Sequence, residues 1–352
     1  MEDIIIIGGG LAGTSLLHAL ASANHNAVLL ESHTIGGGGA TAHSRGMLRV
    51  YDPSPTLCRY SERGLRFWQS FSERHPGLLD SCGLAYFASP ENQAKVRDFS
   101  ESASAAKAGI SLVAAENILE KCPTINHQFV REQRMALWEP QAGTVDPRMA
   151  ARALVNESIA TGRASVLEGV SISKISADTQ GFVVASDYGS IRGRRVIVAN
   201  GAQAGLFHSS LELETRSIII SSFTTESCSE PPNTCIIDEV SGSYLRPAKR
   251  QFYIGGGAYP ANIRSPEKLK VDAEAAMKRN VSNLRLLLAE GYYRPLSTHS
   301  GYDGYSVDYL PIMKPAQDHS VGLFAGFSGR GAKYIPALAK EYVESGISEG
   351  WL

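Results

Sequence analysis

The sequence predicts an α/β protein in which a Rossmann-like nucleotide-binding domain is interleaved with a second domain built on an antiparallel sheet. Three observations carry this. First, the apolar run Asp3-Ile4-Ile5-Ile6-Ile7 breaks into Gly8-Gly9-Gly10-Leu11-Ala12-Gly13 and then an apolar-periodic helix. Second, Asn26 to Glu31 reads as another strand ending in an acid, about 20 residues past the glycines. Third, alternating segments later in the chain read as antiparallel strands. The expected division is 1–85, 142–212 and 296–352 for the nucleotide domain, with 86–141 and 213–295 forming the second.

Each residue of the first turn has a physical task. Gly8 permits the tight turn, Gly10 lets backbone approach a pyrophosphate, and Gly13 lets the helix lie close to the strand. Leu11, Ala12 and Gly13 place N–H groups and the positive dipole end of the helix at the phosphates. Glu31, followed by Ser32, suits a ribose hydroxyl and an adenosine without a 2′-phosphate.

At 352 residues the chain exceeds one ordinary core. Its 43% hydrophobic and 20% charged content describes a globular protein, and its formal net charge of −1 gives no global field for nucleic acid. The apolar start reads as a strand and not a signal peptide, and no run reaches the about 18 apolar residues of a membrane span. Cys58, Cys82, Cys122, Cys228 and Cys235 show no metal-ligand spacing, so no metal is expected. They read as reduced thiols of a cytoplasmic protein.

The glycines Gly36 to Gly39 continue the cleft after the second strand. Leu57 to Glu73 is helical, with Leu57, Tyr60, Leu65, Phe67, Trp68 and Phe71 on its core face. Gln93 to Gly109 reads as helical, and Ala114 to Lys121 as a short helix stopped by Pro123. Asp146, ahead of Pro147, caps a helix running to about Thr161. Val170 to Ile175 and Gly181 to Ala185 read as a meander, and Arg195 to Ala202 as a buried strand ending in glycine. Ser217 to Ser222, Gly242 to Arg246 and Gln251 to Gly256 are expected in the second sheet, and Asp272 to Leu288 as a long helix. The segment from Gly322 through Gly331 repeats the strand–turn–helix pattern.

This order resembles the D-amino-acid oxidase superfamily of flavoproteins, especially glycine oxidase and monomeric sarcosine oxidase. The anchors are Gly8 to Gly13, Val145-Asp146-Pro147, Val198 to Ala202, Tyr244-Leu245-Arg246-Pro247, Asp308-Tyr309-Leu310-Pro311, and Gly326 to Lys333. The resemblance implies FAD, bound by the first domain, with its ring reaching toward a substrate-binding second domain. It implies oxidation of a small amine or amino acid: a hydride leaves the carbon next to a neutral amine, and water hydrolyses the imine. Reoxidation would use O2 or another acceptor.

The resemblance also assigns residues. Thr41, Ala42, His43, Arg45, Gly46 and Met47 fall on the flavin-facing stretch, where His43 is expected beside the flavin, hydrogen-bonded or covalently attached. Val170, Ala199 and Gly201 are expected on the cofactor, as are Gly329, Arg330, Gly331, Ala332 and Lys333. Arg49 and Lys333 match basic residues that face the substrate carboxylate in sarcosine oxidases; arginine suits a bidentate clamp and lysine a point charge. Tyr244 matches a carboxylate-contacting tyrosine of glycine oxidase, and would otherwise be packing. Arg330 replaces a histidine and could stabilise negative charge on reduced flavin. Asp303 stands where glycine and D-amino-acid oxidases carry the clamping arginine. With the sign reversed, either Arg49 and Lys333 take the carboxylate, or the substrate presents a cation to an aromatic wall of Tyr302, Tyr305, Tyr309 and Tyr334.

Two alternatives remain open at this level. One is the oxidase half of the bifunctional tRNA wobble-uridine modification enzyme, whose turn also carries Gly-x-Arg-Gly; the absence of a basic stripe argues against nucleic acid. The other is a non-catalytic flavin subunit of a heteromeric oxidase, which would need a partner.

Overall fold

The computed structural model describes residues 2–208, 211–225, 230–248, 251–256, 259–260, 272–291, 293–316 and 320–352. Cys228 lies outside the described residues. The strand Glu2–Ile7 pairs in parallel with Ala27–Glu31 on one side and with Gly189–Val198 on the other. Ala164–Glu168 extends the first side and Gly322–Ala325 the second. The parallel core therefore runs third, second, first, fourth and fifth in chain order. Its direction of winding reverses beside Glu2–Ile7, and the carboxyl ends there open the crevice where open α/β sheets take their ligands.

The opening strand is apolar throughout because both its faces are covered. Ile4 and Ile6 pack with Leu16, Leu20, Leu154 and Leu338 from the helices Leu11–Ser22, Pro147–Ala160 and Ile335–Ser348. Ile5 and Ile7 pack instead with Phe182 and Val184 of the meander Ile172–Asp178, Gly181–Ser186 and the first half of Gly189–Val198. That last strand is thus shared between meander and parallel sheet, and it ends at Val198, where a 3₁₀ turn Gly201–Leu206 begins.

Among the described residues the second sheet has nine strands. Its pairings are antiparallel except where Leu84–Phe87 runs parallel to Cys235–Asp238. The longest pairing joins Glu214–Thr225 to Tyr293–Tyr305, from Glu214 opposite Tyr305 to Thr225 opposite Tyr293. One face is sealed by Phe87, Ile118, Phe129, Phe223, Phe252 and Leu287, with helices Ile118–Lys121, His127–Glu132 and Ala273–Leu287 over it. The expected boundary at 85/86 falls inside the Leu84–Phe87 strand, and residues 296–305 hydrogen-bond into the second sheet.

Local expectations meet local physics in several places. The expected helix over 93–109 is two helices, Gln93–Ser100 and Ala103–Ala108, because the Ser102 hydroxyl accepts from Ala105 N and starts a new turn. Asp146 does cap Pro147–Ala160, accepting from Arg148 N at 2.9 Å and Met149 N at 3.1 Å. In the helix Pro55–Arg74, Leu57, Leu65, Trp68 and Phe71 are buried, whereas Tyr60 and Phe67 are half-buried. Among the described residues no helix is long and apolar enough to cross a membrane.

Candidate active site

The turn after the opening strand is built as the glycines require. Gly8 has φ of +110°, and a Cβ there would lie 2.7 Å from Asn200 Cα. At Gly13 a Cβ would fall 1.9 Å from the Gly8 carbonyl oxygen, so the helix approaches its own strand at a distance only glycine allows. Leu11 N, at the start of the helix, donates to Thr41 Oγ1 at 2.9 Å. Glu31 accepts from Gly9 N at 2.6 Å and from His33 N at 2.8 Å. It therefore holds the turn as well as lining the crevice, and its carboxylate retains acceptor capacity for a hydroxyl.

The crevice opens into a cleft of about 840 Å³, within the ordinary range for cofactor and ligand sites. Gly8, Gly10, Leu11, Ala12, Glu31, Ser32, Thr41, Val170, Ala199 and Gly201 line its floor at the carboxyl ends of the parallel strands. Arg45, Gly46, Met47 and Arg49 line it from the segment after the second strand, and Gly329 through Lys333 from the last glycine-rich turn. The strands of the second sheet contribute Ser217, Ile219, Tyr244, Arg246, Tyr302 and Asp303. These residues fit a dinucleotide: a bare backbone turn and a helix N-terminus face the cleft, and a Cβ at Gly8 or Gly13 would clash with backbone and displace that turn.

Three expected cofactor residues do not line the cleft. Gly13 acts through its packing on Gly8, and Ala42 is buried in the helix Gly39–His43. His43 turns its ring against Gly301, where a Cβ would lie 2.4 Å from its Cγ. The ring of His43 thus meets the strand Tyr293–Tyr305 of the second sheet.

Arg49, Arg330 and Lys333 are brought together, but by a carboxylate of the protein. Asp52, with a side chain 0% exposed, stands 2.9 Å from Lys333 Nζ, 3.4 Å from Arg330 and 3.7 Å from Arg49. Burial pushes the Asp52 carboxyl up, yet Lys333, Arg49 and Arg330 outweigh it and hold it well below the usual carboxylate range. Burial first, then Arg49, pulls Lys333 down to about 8 against the attraction of Asp52. Arg49 also donates to the Tyr51 carbonyl and lies over the Tyr86 ring. Behind it, buried Glu139 accepts from Val50 N and Tyr51 N. The cluster keeps a positive excess beside the Gly329 turn. Asp52 and Glu139 escaped the sequence reading because a lone acid in Val50-Tyr51-Asp52-Pro53 and another on a distant strand carry no local signal.

Asp303 pins a strand of the second sheet to the last glycine-rich turn. One oxygen accepts from Gly304 N on its own strand and the other from Gly329 N on the last glycine turn, both at 2.8 Å. Burial raises its carboxyl to about 6, while those two N–H groups pull the other way. The tyrosines expected to wall a substrate cation already hold a cation of the protein. Arg216 lies 4.6 Å from the Tyr305 ring centroid and 5.3 Å from that of Tyr309, and it is bonded to Glu214. Tyr334 is fully buried and donates to the Phe327 carbonyl. Tyr302 and Tyr305 still reach the cleft.

Tyr244 and Arg246 project from one face of the strand Ser243–Ala248, and both line the cleft. Arg246 sits across from Tyr253 in register, 5.7 Å from its ring centroid, and Arg45 lies over the same ring at 4.5 Å. Arg246 was visible in the sequence as the variable position of Tyr-Leu-x-Pro, and its period-two partnership with Tyr244 was the signal.

Comparison with known proteins agrees with this geometry. Residues 3–345 match the family described as FAD dependent oxidoreductase (DAO). The bifunctional protein MnmC of tRNA 5-methylaminomethyl-2-thiouridine biosynthesis from Marinobacter nauticus is 24% identical over 99% of this chain and 56% of its own length. Glycine oxidase of Bacillus subtilis is 24% identical over 60% of this chain and 57% of its own. The chain thus spans somewhat over half the length of these relatives. Among solved structures, L-proline dehydrogenase from P. horikoshii superposes with a TM-score of 0.85 at 21% identity, covering 99% of this chain and 94% of that one. Glycine oxidase from Bacillus cereus gives 0.81 at 17% identity, covering 100% and 96%. With the phosphate turn, the carboxyl-end crevice and a family match over nearly its whole length, the chain belongs to the DAO family of FAD-dependent oxidoreductases.

Proposed function

We propose that this protein oxidises the C–N bond of a small amine or amino acid. The observation that carries the proposal is that one cleft joins the dinucleotide turn to a wall of the second sheet lined by Tyr244, Arg246, Tyr302 and Asp303. Bound FAD supplies the two-electron acceptor. Gly8 to Ala12 would hold its phosphates and Glu31 its ribose, and Gly329 to Ala332 would stand beside it. The second sheet closes over the substrate and limits water. The substrate carbon next to a neutral amine nitrogen loses a hydride and becomes an imine, which water hydrolyses. Arg330 and Lys333, held by Asp52, present positive charge where negative charge arrives.

The relatives support this class, since glycine oxidase and sarcosine dehydrogenase are named for amino-acid substrates. Similarity to MnmC over 99% of the chain supports a second reading, a modified amine on tRNA. A salt-dependent tRNA gel shift separates the two.

The test is an anaerobic screen of glycine, sarcosine, proline and simple amines, following loss of oxidised-flavin absorbance. Bleaching by at least one is expected; a flavin inert to all of them refutes the proposal. After acid precipitation the colour is expected in the supernatant, because His43 faces Gly301.

A further inference from the structure

Five cations line the cleft, and they divide by what they already hold. Arg49, Arg330 and Lys333 share Asp52. Arg45 and Arg246 stack on Tyr253, and the Nε atom of each is buried with no hydrogen-bond partner. Arg45 donates only weakly through Nη1 to the Ser44 carbonyl, at 3.3 Å. Burial works against its charge first, Tyr253 and Tyr244 favour it, and Arg246 and Arg148, of its own sign, work against it again. The acids that the second sheet and its turn bring to the cleft are engaged elsewhere: Asp238 accepts from Val240 N, Ser241 N and Ser241 Oγ, Glu239 from Ser89 N and Asn92, and Asp303 from Gly304 N and Gly329 N.

A buried guanidinium N–H without an acceptor costs free energy, and natural structures rarely leave one. Two of them on adjacent arginines lining one cleft call for an anion that is not part of the chain. Stacking on Tyr253 fixes both planar forks, which lowers the ordering cost of a bidentate grip on a planar anion. Tyr244, on the same strand face, adds a hydroxyl.

We propose that Arg246, with Arg45 beside it, is the carboxylate clamp of this cleft, so that the substrate is an amine bearing a carboxylate. It rests on the amine-oxidising function proposed above, and it moves the clamp from Lys333 and Arg49 to the strand Ser243–Ala248 of the second sheet. Arg246 thereby offsets the charge reversal at Asp303.

The test measures binding, not turnover. Calorimetry on the FAD-loaded protein compares benzoate with benzamide and pyrrole-2-carboxylate with its amide, none of which is oxidised. The wild type is expected to prefer each carboxylate by about tenfold or more, the worth of a charge-assisted hydrogen bond. Arg246→Gln should abolish the preference, Arg246→Lys should restore part of it, and Lys333→Met should retain it. Equal binding of acid and amide by the wild type, or loss of preference in Lys333→Met with retention in Arg246→Gln, overturns the assignment. Retained FAD absorbance in each variant shows that the cleft is folded. A protein that prefers carboxylates while no amine bleaches its flavin keeps the clamp and loses the oxidase function.

Discussion

A buried carboxylate among three cations is a high-stakes arrangement, because removing one member leaves the others uncompensated. Asp52→Asn is expected to destabilise the protein by about 3–5 kcal/mol and to push Lys333 Nζ further down, which a denaturant titration and a pH series would detect. Asp303 gives a pH prediction. Its carboxyl is raised in the fold from 3.8 to about 6, so the folded state binds the proton more tightly than the unfolded chain. Its contribution to stability is therefore full below 3.8 and is lost as pH rises through 6. The melting temperature of the wild type relative to Asp303→Asn should accordingly fall between about pH 4 and pH 7; a constant difference would contradict the assignment. At this scale the sequence was least informative. It found Arg49, Lys333 and Asp303, but the partner that decides what each one does lies far along the chain or in a segment without periodicity.

The elements were far more legible, because their signals are local. The glycine turn, the Asp146 cap and the alternating strands each follow from residues within a few positions of one another. Gly13 is the sharpest case. Gly13→Ala would set a methyl 1.9 Å from the Gly8 carbonyl, and since both atoms belong to the backbone-to-backbone contact, the helix must move outward. A loss of FAD affinity of about tenfold or more is expected, read by fluorescence of released flavin. Normal affinity would mean that the turn tolerates displacement. Tertiary register set what escaped, the inclusion of Leu84–Phe87 in the second sheet, whereas the break at Ser102 is a local cap inside a continuous polar stretch.

At the scale of the molecule, the chain passes back and forth between the two sheets and Asp303 ties one to the last glycine turn, so they should melt together. A single calorimetric transition is expected, rising with FAD concentration because the cofactor binds only the folded state. Two resolved transitions would show that the interleaved segments fold separately. The shared strand has a further consequence for biogenesis. Gly189–Val198 gains its outer neighbour, Gly322–Ala325, only after more than a hundred further residues have been made. The turn that completes the cofactor crevice comes later still. On the ribosome the parallel sheet must wait with a bare apolar edge through about a third of translation, which makes this nascent chain a natural client for chaperones and a late acceptor of its flavin.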